Sequence, residues 1–352
     1  MRFERRIAFF FIFILALSVP AALSSGGQAA GKADDAVLLK LVREDFGRLP
    51  PVIAAANNPV TPAKIALGKM LFYETRFSGD GTVSCVRCHP FSLYGADGLR
   101  RSVGAGGKPA ARNAPTVLNA AGQISAHWVG NRKDVEDQAT QSLIGNASPG
   151  APSADAATKE LQKIAAYGPL FRDAFPGEKD PVNAVNYGRA VGAFERTLVT
   201  PSAFDAFLDG NVKALADAQK AGLARFIETG CVQCHSGVYV GGQTYEMFGV
   251  HEPYWTYTKS PDVDEGRFTV TKNPDDKYVF KVPGLRNVAM TPPYFHDGSV
   301  ARLSDAVWIM GKVQLGLSLA APQVESIVAF LASLTGEIPS EALRVPILPR
   351  RD

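Results

Sequence analysis

The residues with the clearest chemistry belong to a short motif, Cys-x-x-Cys-His, that occurs twice. The first copy is Cys85-Val86-Arg87-Cys88-His89 and the second is Cys231-Val232-Gln233-Cys234-His235. Two thiols at this spacing can form thioethers with the two vinyl groups of one haem, and the adjacent imidazole can then bind the iron. A redox dithiol is the alternative for one Cys-x-x-Cys, but two copies, each followed by a histidine, disfavour it. The motifs use all four cysteines. The sequence therefore predicts two covalent c-type haems, attached through Cys85, Cys88, Cys231 and Cys234, with His89 and His235 as proximal ligands.

The sixth ligands are predicted to differ between the two haems. A methionine thioether is a usual sixth ligand and raises the reduction potential. Met310 is the predicted ligand of the second haem, although a lone methionine is more often a core residue. At the equivalent place beside the first haem the sequence has Ile144, which cannot bind iron. We therefore expect one closed, six-coordinate haem for electron transfer and one haem with an open face.

Around the motifs, the two halves of the chain resemble each other. Gly68-Lys69-Met70-Leu71-Phe72 matches Gly222-Leu223-Ala224-Arg225-Phe226, and each lies on a helical pattern that leads into a motif. Further matches follow in the same order: Pro115 with Pro283, Asn119 with Asn287, Trp128 with His296 and Gly130 with Gly298. Such self-similarity predicts two related haem domains.

The predicted fold is mainly α, with two cytochrome-c-like haem domains related by this internal repeat and with long loops. Glycine (33) and proline (24) divide the chain into short helices, and no stretch shows sustained strand alternation. We assign residues 36–199 to the N-terminal domain, 200–335 to the C-terminal domain, and 336–352 to a tail that packs back on the N-terminal domain. Helices are predicted near Ala36–Asp45, from Pro62, and over Lys133–Ile144, Ala156–Ala166 and Pro181–Leu198.

The first residues predict export. Arg2, Arg5 and Arg6 precede an apolar run over 7–19, and small residues follow, which is typical of a secretory signal peptide. We assign residues 1–24, or up to about 30, to this signal; an uncleaved anchor is the alternative. Attachment of haem c requires reduced thiols outside the cytoplasm, which agrees with a periplasmic location. Without the signal the chain is nearly neutral, and it has no basic run interleaved with aromatics, so a nucleic-acid partner is not expected.

From about Pro62 to Gly336 the chain resembles the bacterial dihaem cytochrome c peroxidase family. The segments that carry the resemblance are Leu67–Phe72, Arg112–Thr116, Lys281–Val288, Pro293–Gly298 and Met310-Gly311. The resemblance implies that the haem on His89 is the peroxide site and that the His235/Met310 haem receives electrons. It also implies an electron relay at Trp128, which would otherwise be read as a packed aromatic.

The resemblance further implies a calcium ion between the domains. Its protein ligands would be the side chain of Asn113 and the backbone carbonyls of Thr291 and Pro293. Oxygen ligands of this kind, completed by water, suit Ca²⁺. From the sequence alone, these three residues would be read as turn formers.

Two departures from the family pattern concern the first haem. A histidine that often caps this haem is replaced by Ala105, so the first haem is expected to be open in every redox state. The family's distal glutamate is also missing, because Asn146-Ala147-Ser148-Pro149-Gly150 contains no acid. Cleavage of an O–O bond requires a group that moves a proton between the oxygens. Gln138 can orient peroxide but cannot titrate, and His127 is the candidate substitute, although an ordinary hydrogen-bonded histidine is equally consistent.

Three functions remain open from the sequence. The first is a periplasmic peroxidase that reduces hydrogen peroxide with electrons from a small c-type cytochrome or cupredoxin. The second is peroxide-driven oxidation of side chains in a partner protein, as in relatives that mature a tryptophan-derived cofactor in methylamine dehydrogenase. Those relatives have tyrosine where this chain has Met310. The third is a non-enzymatic dihaem electron shuttle. The family often forms homodimers, but no interface can be identified from the sequence.

Overall fold

Residues 35–350 are described by a computed structural model, and nearly all the regular structure within them is helical. The only strands in that range are β1 (Tyr245–Met247) and β2 (Val279–Lys281), which pair antiparallel with Tyr245 opposite Lys281. The helices are α1 (Asp35–Asp45), α2 (Pro62–Tyr73), α3 (Cys85–Cys88), α4 (Val135–Ser142), α5 (Ala154–Gln162), α6 (Tyr167–Ala174), α7 (Ala184–Glu195), α8 (Ala203–Leu208), α9 (Asp217–Glu228), α10 (Tyr254–Thr258), α11 (Phe268–Thr271), α12 (Leu303–Leu315), α13 (Ala321–Ser333) and α14 (Ser340–Leu343).

Two helix pairs form the framework, and a glycine lies in each contact. A Cβ atom on Gly68 of α2 would lie 1.9 Å from the carbonyl oxygen of Ala190 in α7. A Cβ on Gly222 of α9 would lie 1.9 Å from the carbonyl oxygen of Ser326 in α13. Because only glycine lacks that atom, the two backbones can approach this closely in each pair. The matched segments of the sequence thus make equivalent helix contacts.

Most of the buried apolar side chains lie in two large cores, and three smaller clusters account for others. The first core is formed mainly by α2, α4, α5, α6 and α7, with Phe72, Tyr187 and Phe194 among its buried residues. The second core is formed mainly by α1, α8, α9, α12 and α13, with Phe204 and Phe330 at its centre. Each buried side chain of this size contributes about 1.5–3 kcal/mol relative to exposure.

A buried polar hub joins segments of both sequence halves at Thr200. The side-chain amides of Asn119 and Asn287 both donate to its Oγ1, at 2.7 and 2.9 Å, and the Thr200 amide donates to Oδ1 of Asn119. The Gly336 amide likewise donates to Oδ1 of Asn287. Both asparagines have positive φ (59° and 63°) and precede a 3₁₀ turn. Since all these groups are buried and hydrogen-bonded, they specify one arrangement of the segments.

Each of the five predicted helices corresponds to a helix of the structure. The sequence predicts helices near Ala36–Asp45 and from Pro62; α1 covers the former, and α2 starts at Pro62 after the N-cap Thr61, whose hydroxyl accepts from the Lys64 amide at 3.3 Å. The other predicted helices, each longer than observed, correspond to α4, α5 and α7. The mainly helical class is therefore confirmed.

The domain boundaries stay a prediction. Helix α1, placed in the N-terminal domain by the sequence, buries Leu38 and Val42 in the second core. Ala342, in the predicted tail, is buried in the first core, and its carbonyl accepts from the Tyr73 hydroxyl at 3.3 Å. The predicted signal peptide lies outside the described residues. Within 35–350, no helix has the length and apolar character needed to span a bilayer.

Candidate active site

A single cavity of about 580 Å³ connects the two Cys-x-x-Cys-His motifs. Its wall includes both histidines of the motifs and all four cysteines, together with apolar side chains such as Phe72, Phe226 and Leu331. The first motif begins as the short helix α3, and the second begins as a 3₁₀ turn from Cys231 to Gln233. Both motifs therefore present their thiols and imidazole to one enclosed, largely apolar space.

The two motif histidines are held as neutral rings. Nδ1 of His89 lies 3.0 Å from the Gly95 carbonyl, which selects the tautomer that carries the proton on Nδ1 and leaves Nε2 free to bind a metal. Burial lowers the pKa of His89 and lowers that of His235 to about 4. Nδ1 of His235 is buried without a hydrogen bond of ordinary geometry, although nearby carbonyls of Val240 and Pro283 favour its protonation. Neutral imidazole is the form that ligates iron.

The wall near the second motif contains the predicted sulfur ligand. Met310 lies on α12 and lines the cavity, as do Ala306, Val307 and Gly311 of the same helix. Residues three and four positions apart share one face of a helix, so α12 turns a single face toward the cavity. The packing of α12 in the second core thus places Met310 at the cavity wall.

The wall near the first motif is made by α4 and the loop that follows it. Gln138 on α4 lines the cavity, and so do Ala147, Ser148 and Pro149. The Ser148 hydroxyl donates to the carbonyls of Ser142 and Gly145, at 2.9 and 3.1 Å, which holds the loop against the end of α4. This wall therefore carries amide and hydroxyl groups but no carboxylate from the loop.

Ala105 and Ile144, which stand where the sequence comparison expected a histidine and a methionine ligand, do not line the cavity. The amide of Ala105 donates to the Ser148 carbonyl at 3.1 Å, so its loop packs on the Ser148 loop. Ile144 points away, since 45% of its surface is exposed while its neighbours Ser142 and Gly145 line the cavity. The expectation that Ile144 lies beside the first haem is therefore wrong, because the end of α4 turns it to the surface.

His127 and Trp128, which are neighbours in the chain, both line the cavity shared by the motifs. His127 has a positive φ of 68°, and its Nδ1 lies 2.9 Å from the Asn131 side-chain oxygen. Burial lowers the pKa of His127 to about 4. The Trp128 indole donates to the Asn113 carbonyl at 2.9 Å, and its ring lies 6.4 Å from that of His296. His127 is thus a neutral ring, and Trp128 has a fixed position.

Comparisons with known proteins identify the family. A family model described as di-haem cytochrome c peroxidase matches residues 62–213. Cytochrome c551 peroxidase of Pseudomonas aeruginosa is 43% identical over 300 residues, covering 83% of this chain and 84% of the relative. Methylamine utilization protein MauG of Methylorubrum extorquens is 33% identical over 342 residues, covering 94% of each chain. The chain belongs to the di-haem cytochrome c peroxidase family.

The fold of this chain is also similar to that of a solved structure. It is that of a MauG-like protein associated with microbial copper homeostasis, with 27% identity and a TM-score of 0.75, covering 85% of this chain and 97% of that one. Together the relatives show that the chain is an oxidoreductase of the cytochrome-c peroxidase type. Membership in a di-haem family also implies two haem c groups.

The residues of the cavity suit two covalent haems. Four thiols and two neutral imidazoles face one space whose other lining is mainly apolar. Burial raises the pKa of each thiol, to about 12 for Cys85, so these cysteines are not tuned as exposed redox thiolates. The contact of His89 Nδ1 with the Gly95 carbonyl leaves Nε2 of His89 as the metal-binding atom, and His235 is likewise a neutral ring.

The three predicted calcium ligands, Asn113, Thr291 and Pro293, line the cavity that the motifs share. The Asn113 side-chain nitrogen donates to the Leu99 carbonyl at 2.8 Å, which turns its amide oxygen the other way. No backbone amide of residues 35–350 donates to the carbonyls of Thr291 or Pro293 outside regular structure. The structure thus brings the three candidate oxygens to one cavity, and their role stays a proposal.

Two buried ionisable residues of the cavity wall were missed by sequence reasoning. Glu195 is 3% exposed, and burial, reinforced by the nearby Glu136, raises its pKa to about 8. Lys281 is 8% exposed, and burial lowers its pKa to about 8. A signal existed for Glu195, which lies one helical turn after the apolar Val191 and so continues the buried face of α7. Lys281 gave no comparable signal, because its strand has three residues.

Proposed function

We propose that this protein reduces hydrogen peroxide to water in the periplasm, with electrons from a small redox protein such as a c-type cytochrome or cupredoxin. The balance is one peroxide, two electrons and two protons to two waters. Similarity to cytochrome c551 peroxidase over more than four fifths of both chains supports this reading. The predicted signal peptide supports export.

The observation that carries the proposal is the inequality of the two cavity walls. Near the second motif, Met310 offers a thioether from α12. Near the first motif, the wall formed by α4 and the loop after it contains Gln138, Ala147, Ser148 and Pro149, none of which is a usual ligand of haem iron, and Ala105 does not line the cavity. His235 and Met310 would therefore hold a closed iron, whereas His89 would hold an iron with one accessible face. When bound, the haems supply the centre at which peroxide is reduced and the redox carrier that delivers its electrons.

The surrounding side chains would bind peroxide and move its protons. The Gln138 amide can donate to one peroxide oxygen and accept from the other, which orients the molecule but transfers no proton. His127, with a pKa of about 4, is neutral near pH 7 and can accept a proton on Nε2. Its Nδ1 contact with Asn131 fixes the ring for that role. Trp128, held by the Asn113 carbonyl, would supply an oxidisable ring as the electron relay.

A calcium ion completes the proposed site. The Asn113 side-chain oxygen and the carbonyls of Thr291 and Pro293 would bind it, with water in the remaining positions. Asn113 also holds Trp128 through its own carbonyl, so the ion would stabilise the segment that positions the indole. Metal analysis of the purified holoprotein, before and after dialysis against a chelator, tests this assignment.

Steady-state turnover tests the main proposal. Purified holoprotein with a reduced c-type cytochrome should consume peroxide without prior reduction, because Ala105 supplies no capping ligand. An electron paramagnetic resonance spectrum of the ferric protein should show one high-spin and one low-spin haem. Absence of turnover after both oxidative and reductive pretreatment, or two low-spin haems, would refute the proposal.

Oxidation of a partner protein is the second candidate. The missing acid in the loop over 146–150 and the similarity to MauG along nearly the whole chain favour it. Met310 disfavours it, since the protein-maturing relatives carry tyrosine at that place. Peroxide-dependent mass changes in a specific co-purifying protein, with weak turnover on reduced cytochrome, would select this function over the first.

A further inference from the structure

Lys281 is a buried cation that has only neutral partners. Its ammonium donates to the Gln123 side-chain oxygen and, at 2.9 Å, to the Ser125 carbonyl. The residue is 8% exposed and lines the cavity shared by the two motifs. Its backbone amide donates to the Trp128 carbonyl at 2.7 Å, so the side chain is anchored beside the central tryptophan.

Other buried cations of the described residues are paired differently. Arg196 is bidentate to Glu136, at 2.7 and 2.9 Å, and Arg286 is bidentate to Asp205, at 2.8 and 2.9 Å. No ion pair within residues 35–350 includes Lys281. An isolated buried ammonium is costly unless a counter-charge compensates it. Lys281 therefore lacks the carboxylate that the two buried arginines have.

A carboxylate that compensates the charge of Lys281 is expected in the cavity, because Lys281 lines it. Each haem carries two propionate groups, and the two haems implied by the family must place these charges within or beside the space that Lys281 lines. A propionate that leaves water requires a cation or several hydrogen-bond donors. Lysine is well suited to this contact, because its ammonium has three donors and uses only two of them on Gln123 and Ser125.

We propose that Lys281 binds a propionate carboxylate of one of the two haems and acts as its buried counter-ion. The contact would link β2 and the Trp128 segment to the macrocycle. The proposal rests on the presence of the two haems and not on peroxidase activity. Burial lowers the pKa of Lys281, and no carboxylate of the described residues raises it again. A propionate would supply the missing negative charge.

Midpoint potentials of the holoprotein test the proposal. In Lys281→Met, loss of a nearby positive charge should shift one haem wave to a more negative potential, because the oxidised haem carries the extra positive charge. Lys281→Arg should restore the wild-type value. The wave that moves, high-potential or low-potential, identifies the haem that owns the propionate. Gln123→Leu removes a neutral partner of the same ammonium and should leave both waves in place.

A structural role alone gives a different pattern. If Lys281 only pins the segment of Gln123 and Ser125, the Met and Leu variants should lose thermal stability alike while both potentials stay unchanged, and the proposal is then wrong. A crystal structure of the wild-type holoprotein decides independently of any variant. The ammonium should lie within about 3.2 Å of a propionate oxygen; a longer separation without a bridging water overturns the proposal. Peroxide turnover is not used in either measurement.

Discussion

The first and second motif regions share a framework but differ in their walls. In both, a helix with a central glycine packs closely on a partner, α2 on α7 and α9 on α13, and leads into Cys-x-x-Cys-His. Near the second motif, a long helix, α12, turns a methionine to the cavity. Near the first, a loop after α4 covers the wall and supplies only neutral groups. The framework determines where a haem is attached, and the walls determine its chemistry.

Removing the Met310 thioether should abolish the difference in iron coordination between the two regions. In Met310→Ala, the second haem should change from low spin to high spin and lose its high potential, since no thioether completes its coordination. Turnover with a reduced cytochrome should then be lost. Met247→Ala is the matched control, because Met247 also lines the cavity but lies on β1. A His/Met spectrum that persists in Met310→Ala, or vanishes in Met247→Ala, would contradict the ligand assignment.

Adding an acid to the wall of the first region should raise the rate of peroxide reduction. Ser148→Glu places a carboxyl on the cavity wall near Gln138, and we expect kcat/KM for peroxide to rise about 10²-fold because a general acid–base group is supplied. Ser148→Gln has the same size and the same loss of the Ser142 and Gly145 contacts but cannot titrate. An equal response of the two variants would show that proton transfer does not limit the reaction.

Adding a methyl group at the glycine of each helix contact should destabilise both regions by a similar amount. Gly68→Ala and Gly222→Ala should each lower the free energy of unfolding by about 3 kcal/mol, because a methyl group meets a backbone carbonyl. Gly168→Ala in α6 is the control, since its new methyl would lie 3.4 Å from the nearest atom, the flexible Arg172 side chain. Denaturant unfolding of each holoprotein measures the effect. A loss confined to one variant would mean that the two helix pairs are not equivalent.

The last difference concerns Glu195, a buried carboxyl of the cavity wall on the side of Cys85. Burial raises its folded pKa to about 8, so between pH 4.5 and 8 the unfolded chain is ionised and the folded chain keeps the proton. Stability should therefore fall as pH rises through this window, by at most about 1.4 kcal/mol per pH unit, and level off above it. Unfolding of the wild type and Glu195→Gln at pH 5 and pH 8 measures it; identical slopes would contradict the shift.

Local patterns predict much of this molecule. The start of α2 follows from Thr61 and Pro62, and the meeting of the two Cys-x-x-Cys-His motifs at one cavity agrees with the haem attachment that their spacing predicts. Which way Ile144 points was not predictable, because the turn at the end of α4 depends on the Ser148 hydroxyl. The packing of α1 in the second core was missed because Arg43 donates to the Leu208 carbonyl, 165 residues away. Burial of Glu195 and Lys281 likewise depends on distant segments, which no local periodicity records.

The hub at Thr200 has a consequence for the speed of electron delivery. One hydroxyl accepts from an asparagine of each half, and both asparagines belong to segments that continue toward the cavity. If the two haems bind as proposed, this joint would hold the two wall segments, and with them the two redox centres, at one separation. Because tunnelling slows steeply as a gap widens, a fixed separation would give every molecule in a population the same transfer rate.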